Sequence, residues 1–478
     1  MGLRGVEGVP VGLEVGSKVM ARRGGLLVLV VALVFVSAPA HARPAGAVLP
    51  AGVASDGVTL LANIPEMRTA IAVNFIGNTM FVSATTGLFS YDVTNPQAPK
   101  LLGALPMYIW ENEDMDVDPV RKRVFISRDP RGFTTPATPG ATFPYGAVHI
   151  IDVTNPAAMV QVGFFTVPAG HTTTCVNNCD FVWTGGPYAN AQTQPGFTGR
   201  PIYATDVRDP LNPVPCPNPI DMGRNDGVTD YAHDVQVDSM GIAWVSGAGG
   251  VRGYWTSGVH YDRVQNAIKT AIPCDPIPYA GGGTPNTATP SRFMHNSWRT
   301  LAAQVPNDNA STGAILYGTE ENITSNCATS GRFTSYDLRG SFDGEGFKDI
   351  ATTKFRMTAL DTWTPDKAEG ATGCASAHYF SDRGDGLIAA AFYGQGTRFL
   401  DASDPRDIRQ VGYYRPESAN TWAAYWRNGL VFIADNARGI DIISFDGGTG
   451  QTVAAPPLAA AVSTPAMDPQ LGYLCPLR

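Results

Sequence analysis

A six-residue turn recurs along the chain, and its recurrence restricts the fold more than any other feature. It reads Tyr91-Asp92-Val93-Thr94-Asn95-Pro96, Ile151-Asp152-Val153-Thr154-Asn155-Pro156, Thr205-Asp206-Val207-Arg208-Asp209-Pro210 and Leu400-Asp401-Ala402-Ser403-Asp404-Pro405. Three copies lead after a short linker to a closing glycine, in Leu101-Leu102-Gly103, Gln161-Val162-Gly163 and Gln410-Val411-Gly412. Aspartate or asparagine can cap such a turn through its own backbone, and proline fixes φ and ends the ladder, so each unit reads strand, turn, strand. Repetition of one such unit is the signature of a stacked architecture.

Upstream of each turn lie two more apolar segments joined through glycine. In the first unit they are Ile71 to Ile76 and Met80 to Ala84 around Gly77-Asn78; in a late one they are Ala377 to Phe380 and Leu387 to Tyr393 around Gly384-Asp385-Gly386. Four short strands make one antiparallel sheet that cannot bury its faces alone, so the sheets must stack around an axis. The expected fold is all-β, a β-propeller of seven four-stranded blades spanning 66–448, with units near 66–106, 107–167, 168–226, 227–288, 289–372, 373–416 and 417–448. Six or eight blades are the alternatives, because stretches such as Ala280-Gly281-Gly282-Gly283-Thr284 interrupt the middle units. Charged residues make up only 16% of the chain against 52 Gly and 37 Pro, which fits a turn-rich globular protein. A net charge of -8 without a block of Lys and Arg argues against nucleic acid or an anionic membrane as partner.

The N-terminus reads as an export signal. Arg22 and Arg23 precede an apolar run from Leu26 to Val36, and Ala40 and Ala42 supply the small residues of a cleavage site. Residues 1–42 are expected as signal peptide, with Met20 an alternative start, 43–65 as a linker and 449–478 as a Pro/Ala-rich tail. No stretch of the mature chain is long enough for a transmembrane anchor, and the product is expected to be secreted or periplasmic. Seven cysteines in an exported chain suggest disulfides. The pairing expected is Cys175 with Cys179, Cys327 with Cys374, and Cys216 with Cys274; metal binding by Cys175 and Cys179 is the alternative.

On its turn motif the chain resembles the LVIVD-repeat family of exported propellers, whose repeat carries an apolar strand, an Asp-Val-Ser/Thr-Asp/Asn-Pro turn and a closing Val-Gly. The strand that names the family reads here Leu88-Phe89-Ser90-Tyr91-Asp92, Val148-His149-Ile150-Ile151-Asp152 and Ile440-Asp441-Ile442-Ile443. The resemblance spans roughly residues 66–446 and implies a fold and export. It does not imply one reaction, because propellers host both enzymes and scaffolds.

Four histidines open the first strand of consecutive units: His171, His233, His295 and His378. Trp183 and Trp244 fix the register, lying twelve and eleven residues after His171 and His233. First strands line the axis of a propeller, so four imidazoles from adjacent blades are expected to converge at the channel mouth. Neutral imidazole suits iron, copper or zinc, and a set without obligatory carboxylates leaves positions open for water or substrate. By register Glu113 takes the same place in the second unit and is a further candidate ligand. Thr421 and the region of Glu66 to Thr69 are the nearest equivalents in the last and first. Glu320 and Glu321, with Gln395, lie on loops expected at the same mouth and are the candidate catalytic residues. The arrangement is similar in outline to the iron site of carotenoid-cleaving dioxygenases, which are also seven-bladed with four axial histidines. A structural role, each histidine bonding a neighbouring loop, is the alternative.

Other signals are weaker. His149 and His260 are expected in packing and surface roles. Asp116, Asp118, Asp234 and Asp238 read as turn acids, since none has the spacing of a calcium loop. Trp110, Trp298, Trp363 and Trp422 are candidates for the mouth or for packing between blades. No serine-hydrolase elbow, phosphate loop or dinucleotide fingerprint occurs. The functional expectation is metal-dependent chemistry, oxidative rather than hydrolytic, on a small organic substrate. The rival is a non-catalytic secreted scaffold binding an extracellular protein or glycan.

Overall fold

A computed structural model describes residues 53–133, 146–186, 201–220, 232–247, 250–262, 265–282, 292–300, 313–322, 331–339, 357–365 and 376–447. The expected signal peptide, the C-terminal tail and the Cys327–Cys374 pairing lie outside these residues.

Seven four-stranded antiparallel sheets form a seven-bladed β-propeller. In the first six blades the strands follow chain order. The first blade runs Ala70–Ile76, Thr79–Ala84, Gly87–Asp92 and Lys100–Pro106. The first strands of neighbouring blades touch one another in an unbroken circle, from Ala70–Ile76 through Met115–Asp118, Thr172–Val176, Ala232–Val237, Arg292–Thr300 and Phe380–Asp382 to Thr421–Arg427 and back. That circle defines the axis. In the last blade the fourth strand is Val58–Ile64, which pairs antiparallel with Gly439–Phe445. The segment expected as a linker therefore supplies the strand that closes the ring. A fourth blade interrupted by insertions keeps its four strands and adds a hairpin of Val259–Asp262 with Ala267–Thr270.

The recurring turn works as its chemistry demands. Asp92, Asp152, Asp206 and Asp401 each accept a hydrogen bond from the backbone amide two residues on, at 2.7–3.0 Å. Asn95, Asn155, Asp209 and Asp404 do the same one half-turn later. The closing glycines have a different reason. A Cβ on Gly103 would meet Pro156 O at 2.4 Å, and one on Gly163 would meet Pro210 O at 2.1 Å. Each glycine thus admits the proline turn of the following blade, and Ser90 Oγ donates to the same Pro156 carbonyl at 2.7 Å.

Seven apolar clusters fill the seven clefts between adjacent blades. Trp183 lies between the third and fourth blades and Trp244 between the fourth and fifth, both fully buried, and each side chain contributes roughly 2–3 kcal/mol by removal from water. Two disulfides are present among the described residues, Cys175–Cys179 and Cys216–Cys274, as the sequence leads one to expect. The first closes a tight turn in which Asn177, Asn178 and Cys179 all have positive φ. No helix among the described residues is long and apolar enough to cross a membrane.

Candidate metal centre

The innermost strands carry a local distortion at one equivalent place. The ladder register shifts at His233 between Ala232 and Asp234, at His295 between Met294 and Asn296, at Ile71 and at Trp422. At His171 two successive amides, of Gly170 and His171, donate to the single carbonyl of Gly185. A bulge of this kind turns an extra side chain off the sheet's normal alternation. It sends the histidine and its successor both toward the axis. The resulting ring is Ile71, Glu113, His171, His233, His295, His378 and Trp422. In the first and last blades the residue at the bulge is Ile71 and Trp422, not Glu66 to Thr69 and Thr421; neither blade has a histidine to mark that place in the sequence. Thr421 instead bonds Asp435 Oδ2.

All four histidines and Glu113 are at most 5% exposed. The Glu113 carboxylate sits among the imidazoles: Oε1 is 3.1 Å from His171 Nε2 and 3.4 Å from His378 Nε2, while Oε2 is 3.2 Å from His233 Nε2 and 2.9 Å from His295 Nε2. His171 Nε2 and His233 Nε2 are 3.1 Å apart. Ligand atoms held about 2.1 Å from one transition-metal ion lie roughly 3.0–3.4 Å from each other, close to the separations of Glu113 from the imidazoles and of His171 from His233, and ligand atoms of Glu113, His233 and His295 all lie within 4.8 Å of one another.

The opposite ring nitrogens fix which atoms face inward. His171 Nδ1 lies 2.7 Å from Asp129 Oδ2, His233 Nδ1 3.1 Å from the carbonyl of His295, and His378 Nδ1 2.7 Å from the carbonyl of Trp422. Carboxylate and carbonyl oxygens only accept, so these Nδ1 atoms carry the proton. In neutral rings the unprotonated Nε2 atoms of His171 and His233 then face each other, and those of His171, His233 and His378 face a carboxylate. That arrangement is repulsive unless positive charge lies within it, either as ring protons or as a metal ion. Imidazoles oriented through outer hydrogen bonds are the usual construction of a metal site, and the donor set fits one.

Charge balance follows the same geometry. Burial raises Glu113, but the imidazoles of His171, His378 and His295 outweigh it and hold the carboxyl well below its usual range. Burial pushes His295 well down, reinforced by His378 and His233. His378 is also disfavoured by burial, yet the nearby Glu113 and Glu321 carry it above the ordinary value.

The other expected site residues separate. Ligand atoms of Glu321, His295 and His378 lie within 4.8 Å of one another, and Tyr393 Oη donates to Glu321 Oε1 at 2.5 Å. Glu320, one residue earlier on the opposite face of its strand, lies 3.7 Å from Arg332 and acts on Tyr336 in the cleft between blades, away from the ring. Gln395 accepts from Arg398. His149 packs on Phe164 and bonds Gln161, and His260 stacks on Trp255 at 4.1 Å, so neither joins the ring. Trp422 stands 5.0 Å from His378, Trp363 packs between the fifth and sixth blades, and Trp298 lines the channel beyond the ring. Asp118 and Asp238 cap turns, whereas Asp116 and Asp234 face the channel.

Sequence reasoning missed Asp129, Glu111 and Tyr393. Asp129 follows the second strand of its blade, Arg123–Arg128, the same place that made Glu321 a candidate, so one rule applied to every blade finds both. Glu111, Asp129 and His171 form a third ligand group within 4.8 Å.

No protein-family description matches the chain, and no curated protein matches its sequence. Among solved structures it is similar to the periplasmic gluconolactonase PpgL of Pseudomonas aeruginosa, at 13% identity and a TM-score of 0.51, covering 80% of this chain and 93% of that one. The WD40 repeats of RRP9 match at 9% identity and a TM-score of 0.48, covering 82% and 98%. The likeness to PpgL concerns the fold alone.

Proposed function

We propose that this chain is an exported, LVIVD-like propeller that binds a transition-metal ion, iron, copper or zinc, through His171, His233, His295 and His378, with Glu113 as a fifth ligand. The observation that carries the reading is the convergence of four Nε2 atoms on one carboxylate, with three of the rings oriented by outer Nδ1 hydrogen bonds. A metal held there supplies Lewis acidity or, if redox-active, one-electron chemistry, which suits an oxidative reaction on a small organic substrate. Glu113 supplies a negative charge that offsets the ion. Tyr393 Oη donates to Glu321 Oε1, beside His378, which supports this pair as the groups that exchange a proton with a substrate. Two disulfides fit an oxidising compartment.

Elemental analysis of protein purified from its export route, beside a variant carrying both His233→Ala and His295→Ala, tests this. Stoichiometric metal, lost in the variant while its circular dichroism is retained, is expected. No metal in the native protein overturns the reading and leaves a binding scaffold as the better account.

A further inference from the structure

The channel continues past the ring. Directly beyond it lie Asp114, Asp234, Asn296 and Tyr379, with Tyr379 Oη and Asn296 Nδ2 both donating to Asp234 from other blades, at 3.1 and 2.9 Å. The third residues after the ring members, Asn74, Asp116, Thr174, Gln236, Trp298, Ser381 and Tyr425, line a cavity of about 350 Å³ roughly 10 Å further along. It lies within the size range of small-molecule sites, about 300–1,000 Å³. Most of its walls are half-buried, so the cavity is reached from the face opposite the histidine ring.

Its lining combines two kinds of surface. Phe75, Trp298 and Trp426 offer flat aromatic faces. Asp116, Gln236 and Asn296 offer carboxylate and amide groups that accept and donate side by side. Asp116 is held by the amides of Cys175 and Val117 at 2.7 and 2.8 Å and by Asn74, so its position is set before anything binds. Trp426 Nε1 is shielded from solvent and donates to no acceptor among the described residues. Both signs of charge are present: beside Asp116 stand Asp114, which accepts from Thr174, and Asp382, which accepts from Thr300 and the amides of Gly384 and Gly386, while Arg427 closes the rim 4.4 Å above Phe75. A ligand of one strong charge gains at one wall and loses at the other. A neutral molecule with a C–H face for the rings and adjacent hydroxyls for the amides and carboxylate matches all of it.

We propose that this cavity is a binding site for a neutral polyhydroxylated ligand of monosaccharide size. The aromatic rings take the apolar face of the sugar, and Asp116, Gln236 and Asn296 take its hydroxyls. The site stands on its own geometry and does not depend on the metal reading.

Isothermal titration of the mature full-length protein with glucose, galactose, mannose and xylose tests it, with choline and acetate as charged probes. Saturable binding of at least one sugar is expected, weakened tenfold or more by Trp298→Ala and by Asp116→Asn, with metal content unchanged in both. Trp298→Phe serves if the alanine variant does not fold. Absence of binding by all four sugars, binding of a charged probe instead, or sugar binding undiminished in the variants each overturns the proposal. Because metal content is read in the same samples, failure of the sugar site and failure of the metal site are told apart.

Discussion

Asp129 gives a quantitative handle on the ring. His233 and His378 lean on backbone carbonyls that no side-chain change removes, but the His171 Nδ1 proton goes to a carboxylate 2.7 Å away that is itself fully buried. Replacing Asp129 by Asn keeps an acceptor oxygen and removes its charge. A hydrogen bond to a charged group is worth about 1.5–3 kcal/mol and a neutral one about 0.5–1.5 kcal/mol, so the substitution should cost ~1–1.5 kcal/mol of orientation and ligand basicity. That is about a tenfold loss of metal affinity. Asp129→Ala also deprives a buried N–H of this acceptor, a further ~1–3 kcal/mol, and should bring the loss to roughly a hundredfold, the upper end for outer partners of metal ligands. The assay is competition with a chromophoric chelator at fixed pH, with thermal melts to show that each variant is folded. Affinities of both variants equal to the parent, with the His171 tautomer unchanged in nitrogen-detected NMR, would refute the reasoning.

Two further outcomes are expected. Gly186 has φ of +101°, and a Cβ there would lie 2.1 Å from His171 Cβ; Gly186→Ala should therefore strain the backbone by about 1–3 kcal/mol and displace His171, lowering both the melting temperature and metal affinity, and unchanged metal titration would show that the ring tolerates the shift. Burial is the main cause that raises Asp116 to about 6 from 3.8, so the native state binds more protons than the unfolded state between those values and stability falls as pH rises through that window. Relative to the parent, Asp116→Asn should gain ~3 kcal/mol between pH 3.5 and 7.5, and a difference in denaturant midpoints that does not vary with pH would contradict this.

The parts of the molecule legible in the sequence are those that local chemistry determines. The Asp-Pro turns are visible because each is completed within six residues, by side chain to backbone two positions on. The histidine ring is visible because Trp183 and Trp244 lie on the partner strand at nearly constant distance from His171 and His233. What stayed hidden depends on contacts far apart in the chain. Val58–Ile64 has no turn motif of its own, and its role appears only when Asn63 meets Asp441 across the closing pair. Glu320 and Glu321 are indistinguishable as a sequence pair; strand alternation sends one into the cleft between blades and the other to His378. Trp422 lies one residue after the expected Thr421 and Ile71 at least two after the expected Glu66 to Thr69, because neither blade carries a histidine to mark the place of the bulge.

That bulge also explains why ring and channel are chemically continuous. A regular strand would send alternate residues to the axis, so a blade presenting His233 would turn Asp234 into the cleft against its apolar neighbours. The register shift lets both face inward, at the loss of one regular ladder step. Asp234 then reaches Asn296 and Tyr379 on two other blades, and Tyr379 packs its ring 4.8 Å from His295. The layer beneath the histidines thus ties blades four, five and six across the axis, by hydrogen bonds whose loss would let the ring spread. A substitution at Asp234 acts on His295 through Tyr379, although the two residues lie in different blades. The geometry of the imidazoles is consequently a property of the whole inner circle of strands, and not of any one blade.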